Sequence, residues 1–280
     1  MIRIVTDSTC EAPAEIMQHP AVQVVPLSVV FGQQALRDTI EITREQFWER
    51  LPKANPLPTT SQATPADFLA PFTSFTDAGD EVVAVTLSSK LSGTWDSARQ
   101  AQATLPGRPI DVFDSYSISV GLGLMLQQVV EMRDAGASRA QIVARLVEMR
   151  DSIRVFFALE TLEYLQRGGR IGKAQALLGT LLKFKPLLAI TEGEVAAAGR
   201  VRTKSKALAL MIDQLGQEIA ARGPQVSIGI TQAGAASEAA EVAAALAREF
   251  GTLRVFVCAL GPVIGVHVGP GTIGAAVYGG

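Results

Sequence analysis

Short β-branched runs alternate along this chain with stretches whose apolar residues recur at helical spacing. Ile2–Thr6, Val82–Leu87 and Ile110–Phe113 are short, β-branched-rich runs that lead into polar residues, the pattern of strands covered on both faces. The intervening segments carry helix starts. Thr43 with Gln46 and Ser138 with Gln141 match the capping box, and Thr64-Pro65 puts a cap residue before a first-turn proline. Arg139–Arg150 presents Ile142, Val143, Leu146 and Val147 on one face, which predicts an amphipathic helix.

A strand over Ile153–Leu159 follows. Leu187–Thr191 and Val195–Val201 flank Glu192-Gly193-Glu194, which predicts a hairpin. Beyond it the pattern gives a helix near Lys204–Ala221, a strand over Val226–Thr231, a helix near Ala236–Phe250 and a strand over Leu253–Cys258. The end, Gly261–Gly280, is glycine-rich and carries no assigned element. Such βα alternation predicts an α/β fold of packed layers, and 280 residues suggest about two domains. We expect residues 1–155 and 156–280 to form them.

Composition narrows the class. Apolar residues make up 48% and charged ones 19%, enough for a sizeable core. The net charge of −2 argues against a general nucleic-acid binder, which needs basic excess to neutralise phosphates. Two distant cysteines, Cys10 and Cys258, without a CxxC, fit a reducing compartment. The first residues turn polar too soon for a secretory signal, and Ala176–Ile190 is too short and too interrupted by Lys183, Lys185 and Pro186 to span a bilayer. A cytoplasmic protein is expected.

Several familiar chemistries fail on spacing. Gly168-Gly169-Arg170-Ile171-Gly172-Lys173-Ala174 falls one residue short of GxxxxGK and has alanine where Ser or Thr would hold magnesium. Gly121-Leu122-Gly123 lies inside a helical run. HExxH and GxSxG are absent, and two histidines, His19 and His267, cannot build a multi-histidine metal centre. No metal or cofactor is expected.

Four polar clusters remain. Thr6-Asp7-Ser8-Thr9 follows the first strand, where α/β sheets hold ligands, or it simply turns the chain. Pro58-Thr59-Thr60-Ser61-Gln62 and Ser88-Ser89-Lys90-Leu91-Ser92-Gly93-Thr94 place hydroxyls at helix starts. They either cap those helices or use the unpaired N–H groups there to hold an anion, with Gly93 allowing close approach. His267, among Gly261, Gly265, Gly269 and Gly271, is either a core histidine or a donor to a carboxylate. Residues 167–206 hold nine basic and two acidic side chains, a net +7 against −9 elsewhere. This window is either a solvated face or a docking surface for an acidic partner, a phosphate or an anionic membrane.

Together these segments resemble the DegV family of bacterial fatty-acid-binding proteins. The matching stretches are Thr6-Asp7-Ser8-Thr9, Thr60-Ser61-Gln62, Ser88 to Thr94, Phe113-Asp114-Ser115, Leu165 to Ile171 and His267-Val268-Gly269-Pro270-Gly271, in order along nearly the whole chain. The resemblance implies an N-terminal parallel-sheet domain and a C-terminal mixed-sheet domain with a long-chain fatty acid such as palmitate between them. It implies that Thr60 and Ser92 hold the carboxylate, with His267, Ser61 and Gly93 close by. It further implies a non-catalytic carrier that presents the acid to a separate fatty acid kinase for phospholipid synthesis, with Arg170 supporting that step. Arg200 and Arg202, from the same basic window, are further candidates for docking the kinase. Ala63 departs from the proline common after TSQ, which affects loop stiffness more than ligand chemistry.

The physics suits such a ligand. Burying about 14 methylenes at ~0.8 kcal/mol each gives an upper bound of roughly 11 kcal/mol before ordering costs. The carboxylate needs hydrogen-bond donors, since an isolated buried charge would take up a proton. The apolar faces of Ile118–Val130 and Leu177–Leu188 are candidate walls. The alternatives are a lipid-sensing regulatory protein and a hydrolase with Ser92 as nucleophile and His267 as base, which lacks a nucleophile elbow and an evident orienting group.

Overall fold

The computed structural model describes residues 1–177, 184–223, 225–251 and 254–279. The first half runs β1 (Ile2–Asp7), α1 (Ala14–Met17), β2 (Val22–Val25), β3 (Ser28–Phe31), β4 (Gln34–Arg37), α2 (Arg44–Arg50), β5 (Thr59–Ser61), α3 (Pro65–Asp77), β6 (Glu81–Thr86), α4 (Thr94–Ala103), β7 (Ile110–Asp114), α5 (Ser119–Asp134) and α6 (Arg139–Ser152). The second runs β8 (Arg154–Ala158), α7 (Glu163–Arg167), β9 (Lys185–Thr191), β10 (Glu194–Val201), α8 (Lys204–Arg222), β11 (Val226–Gln232), α9 (Ala236–Phe250), β12 (Arg254–Ala259), α10 (Pro262–Val268) and β13 (Ile273–Gly279).

The caps read from the sequence start their helices. Thr43 with Gln46 opens α2 and Ser138 with Gln141 opens α6, each as a reciprocal capping box. Thr64 opens α3 in the same way with Asp67, ahead of Pro65. β6 ends at Thr86 because the Leu87 N–H leaves the ladder and donates to Asp7 Oδ2 at 2.7 Å.

β2, β1, β6 and β7 form an all-parallel sheet in that order. From β1 the chain goes to β2 on one side and to β6 on the other, so a crevice opens beyond the carboxyl ends of β1 and β6, where open α/β sheets hold ligands. A second, mixed sheet runs β10-β9-β8-β13-β11-β12, with only the β11–β12 pair parallel. A small antiparallel sheet, β4-β3-β5, stands apart. β9 and β10 form the expected hairpin around Glu192-Gly193.

α5 is buried over most of its circumference because it packs on β1 and β6 of one sheet and on β11 and β13 of the other. Gly121 and Gly123 permit this: a Cβ at Gly123 would strike the Glu11 carbonyl, and one at Gly121 the Ser117 hydroxyl and Val155. One core therefore joins Ile4 and Val83 of the parallel sheet to Val155 and Ala276 of the mixed sheet. The passage between the two sheets is the α6–β8 junction, so a cut between 155 and 156 falls inside β8. The glycine-rich end, without an element in the sequence reading, folds as α10 and β13, and β13 is interior to the mixed sheet.

Candidate functional site

The crevice loops are held chiefly by their own polar residues. Asp7 is fully buried; its Oδ1 accepts from Thr9 N and Thr9 Oγ1 at 3.0 and 2.6 Å, and its Oδ2 from Leu87 N. Burial pushes this carboxyl up and those donors pull it back. The Thr6-Asp7-Ser8-Thr9 cluster thus works mainly as a turn, with Thr9 alone of the four reaching the cavity described below. Asp114 Oδ1 accepts from Ser89 N and Tyr116 N, and Ser88 Oγ donates to Gly193 O at 2.7 Å, tying the loop after β6 to the β9–β10 turn.

Thr60, on the edge strand β5, meets His267, on α10: Thr60 Oγ1 and His267 Nε2 are 2.8 Å apart. Burial, and secondarily the charge of Arg170, push the imidazole down to about 4, so it is neutral near pH 7. His267 Nδ1 is buried without a hydrogen-bond partner among the described residues and lies against Gly168, where any Cβ would collide with it. Orphaned buried donors are rarer than orphaned acceptors, so the proton belongs on Nε2. Nε2–H then donates to Thr60 Oγ1 and turns the threonine O–H outward as a donor.

Ser92 Oγ pairs with Thr94 Oγ1 at 2.9 Å and accepts from Thr94 N at 3.3 Å, at the start of α4. Gln62 Nε2 donates to Gly93 O and Ser97 Oγ, fastening β5 to α4. Arg170 Nε donates to Leu91 O at 3.2 Å and its Nη1 to Gly168 O at 2.8 Å, while Nη2 makes no hydrogen bond among the described residues.

These groups converge on one cavity of about 270 Å³. Thr60, Ser61, Gln62, Ser92, Arg170 and His267 line it together. The remaining walls are mainly apolar. Leu165 comes from α7, Val263, Ile264 and Val268 from α10, and Ile118 and Val120 from the start of α5. The floor is the mixed sheet, where Phe157, Gly274 and Thr231 lie side by side in register.

The sequence-derived candidates therefore divide. Thr60, Ser61, Ser92 and His267 come together, and Arg170, assigned to a partner kinase, lines the same cavity. Gly93 stands outside the lining, and the Gln62 amide covers the space a side chain there would fill. Arg200 and Arg202 are exposed and outside it; the Arg200 guanidinium lies 5.9 Å from the Phe184 ring centre. Of Leu177–Leu188, residues 178–183 lie outside the described residues and the others do not line the cavity; Ile190 and Val195 supply that wall instead. The basic window is less bare than its composition suggests. Arg167 pairs with Glu163, Lys173 with Glu192, Lys185 with Glu160, and Lys204 with Glu160 and Glu238.

A Ser92–His267 dyad is not formed, because Nε2 is engaged by Thr60 and, among the described residues, no group orients Nδ1. Among the described residues no group of three or more His, Cys, Asp or Glu could hold a metal, and no helix is long and apolar enough to cross a membrane. Sequence reasoning missed the α10 wall, although Val263, Ile264, His267 and Val268 recur at one-face helical spacing. It also missed the floor, which register alone assembles.

The fold and site define an α/β protein of two packed sheets around an apolar cavity with a cluster of polar groups in its wall. The chain belongs to the DegV family, whose model, described as an uncharacterised protein family, matches residues 1–279. It is similar to a DegV family protein of Thermus thermophilus whose structure was solved for its fatty acid binding, at 37% identity, TM-score 0.93 and 99% coverage of both chains. A stearic acid-binding protein of Eubacterium ventriosum is 29% identical, with TM-score 0.92, covering 99% of this chain and 98% of the other. DegV of Bacillus subtilis, solved as a fatty acid-binding protein, is 31% identical, with TM-score 0.90 and the same coverages.

Proposed function

We propose that this protein binds one long-chain fatty acid, of the palmitate class, and presents its carboxylate to a separate fatty acid kinase without itself catalysing a reaction. The observation that carries the reading is the Thr60–His267 pair set in the wall of a largely apolar cavity. A neutral imidazole that donates to Thr60 leaves the threonine hydroxyl to donate to a carboxylate oxygen, and Ser61 and Ser92 add hydroxyls alongside. Binding by neutral donors keeps the acid anionic without neutralising it, so an oxygen stays nucleophilic. Arg170, which lines the same cavity, supplies positive charge to steady the carboxylate as it attacks a phosphorus atom.

In the kinase step a carboxylate oxygen forms the new bond to the terminal phosphorus of ATP and ADP leaves. The free energy for binding comes from the apolar walls, and the polar cluster fixes which end faces out. The test mixes the palmitate-loaded protein with a fatty acid kinase and ATP and traps acyl phosphate as the hydroxamate. Hydroxamate formation that requires this protein is the expected result. A kinase whose turnover is indifferent to it refutes the carrier role.

A further inference from the structure

Sheet register fixes where an acyl chain laid on this floor has to end. Residues paired across antiparallel strands point to the same face, so the cavity floor is built in rows. Phe157, Gly274 and Thr231 make one row, and Phe157 shares its core with Ile264 and Val268 of α10. The next row, two residues back along β8, places Ile190 of β9 opposite Val155 of β8. Val155 belongs to a different core, with Phe113 and Ile153, to which α10 contributes no residue.

On the far side of that row lies a second hollow of about 490 Å³, walled by Ser117, Tyr116, Arg150 and Arg154 among others. Ile190 and Val155 line both spaces, and among the described residues they alone do. Two aliphatic side chains thus separate an apolar chamber from a hollow rimmed with charge.

We propose that Ile190 and Val155 are the stop that sets the longest acyl chain the site accepts; this rests on the fatty-acid reading above. A chain too long for the first chamber meets these two side chains and must displace them to go further. Removing methyl groups from either residue joins the two chambers and lengthens the channel. Enlarging Ile190 shortens it.

The test is a competition series of saturated acids from 12 to 22 carbons against the wild type, Ile190→Ala, Val155→Ala and Ile190→Phe, with far-UV circular dichroism to confirm folding. Wild-type affinity is expected to climb with length to a cut-off and then fall. The alanine variants move that cut-off up by two or more carbons. At about fourfold per added methylene, the first acid beyond the wild-type limit gains roughly 15-fold relative to palmitate. Ile190→Phe moves the cut-off down, which keeps the proposal testable where an alanine variant does not fold. Folded variants that share the wild-type cut-off overturn the stop while leaving the fatty-acid reading intact. A wild-type protein that binds no acid of any length overturns that reading itself, and the stop with it.

Discussion

Replacing Thr60 with valine keeps the shape of the side chain and removes the one hydroxyl that links His267 to the cavity. Two consequences follow from the geometry. A hydrogen bond to a charged acceptor contributes ~1.5–3 kcal/mol, so fatty acid affinity is expected to fall about 10- to 150-fold. His267 Nε2 also loses its partner while Nδ1 already lacks one, so a buried imidazole is left with neither nitrogen satisfied. Such orphaning costs about 1–3 kcal/mol of stability. The assay is calorimetric titration of Thr60→Val and wild type with palmitate and with its methyl ester, alongside thermal unfolding. The ester has no anionic head and its carbonyl accepts only a weaker, neutral hydrogen bond from Thr60, so its loss is expected to be clearly smaller than the acid's. Ser92→Ala, whose hydroxyl pairs with Thr94 rather than His267, weakens palmitate binding with a smaller loss of stability. Equal losses for acid and ester, or no loss for either, refute the carboxylate site.

Gly274→Val puts a branched side chain on the cavity floor beside Thr231 and Phe157, so palmitate binding is expected to fall at least tenfold with a stability cost of about 1–3 kcal/mol; full-strength binding in a displacement assay contradicts the floor assignment. Arg170→Ala is expected to lower acyl phosphate formation about 100-fold while leaving palmitate affinity nearly unchanged; equal loss of both would make Arg170 a lipid-holding residue. Asp38 is buried, and burial raises its carboxyl to about 7. The folded protein therefore holds a proton there between about pH 4 and 7 that the unfolded chain releases, and stability from this group is lost as pH rises through 7. Asp38→Asn cannot titrate, so its stability relative to wild type is expected to rise by up to about 3 kcal/mol from pH 5 to pH 8 in urea unfolding. His267, held down to about 4, acts in the opposite sense in both proteins, so the difference isolates Asp38. A pH-independent difference refutes the buried-proton assignment.

Local rules were legible and long-range ones were not. The caps at Thr43, Thr64 and Ser138, the hairpin at Glu192-Gly193 and the helix Ala236–Phe250 follow from neighbouring residues alone, and each stands where the sequence places it. β2, β3, β4 and β5 have three or four residues each, too few for alternation to register as a pattern. β5 nevertheless carries Thr60. Its partner His267 is 207 residues away, and only the packing of α10 against the small sheet brings them together. The basic excess of residues 167–206 was countable, but not its pairing with Glu160 and Glu238 across folded distance. The motif resemblance supplied the ligand class and Thr60, Ser92 and His267, while the placement of Arg170 in the cavity wall needed coordinates.

Mass spectrometry of an organic extract of the purified protein, quantified against protein concentration after incubation with palmitate, tests most directly whether the cavity is a fatty acid site. One molar equivalent of a long-chain acid per chain, lost in parallel with carboxylate-site substitution, is expected. A protein that retains no acyl lipid under saturating palmitate contradicts it.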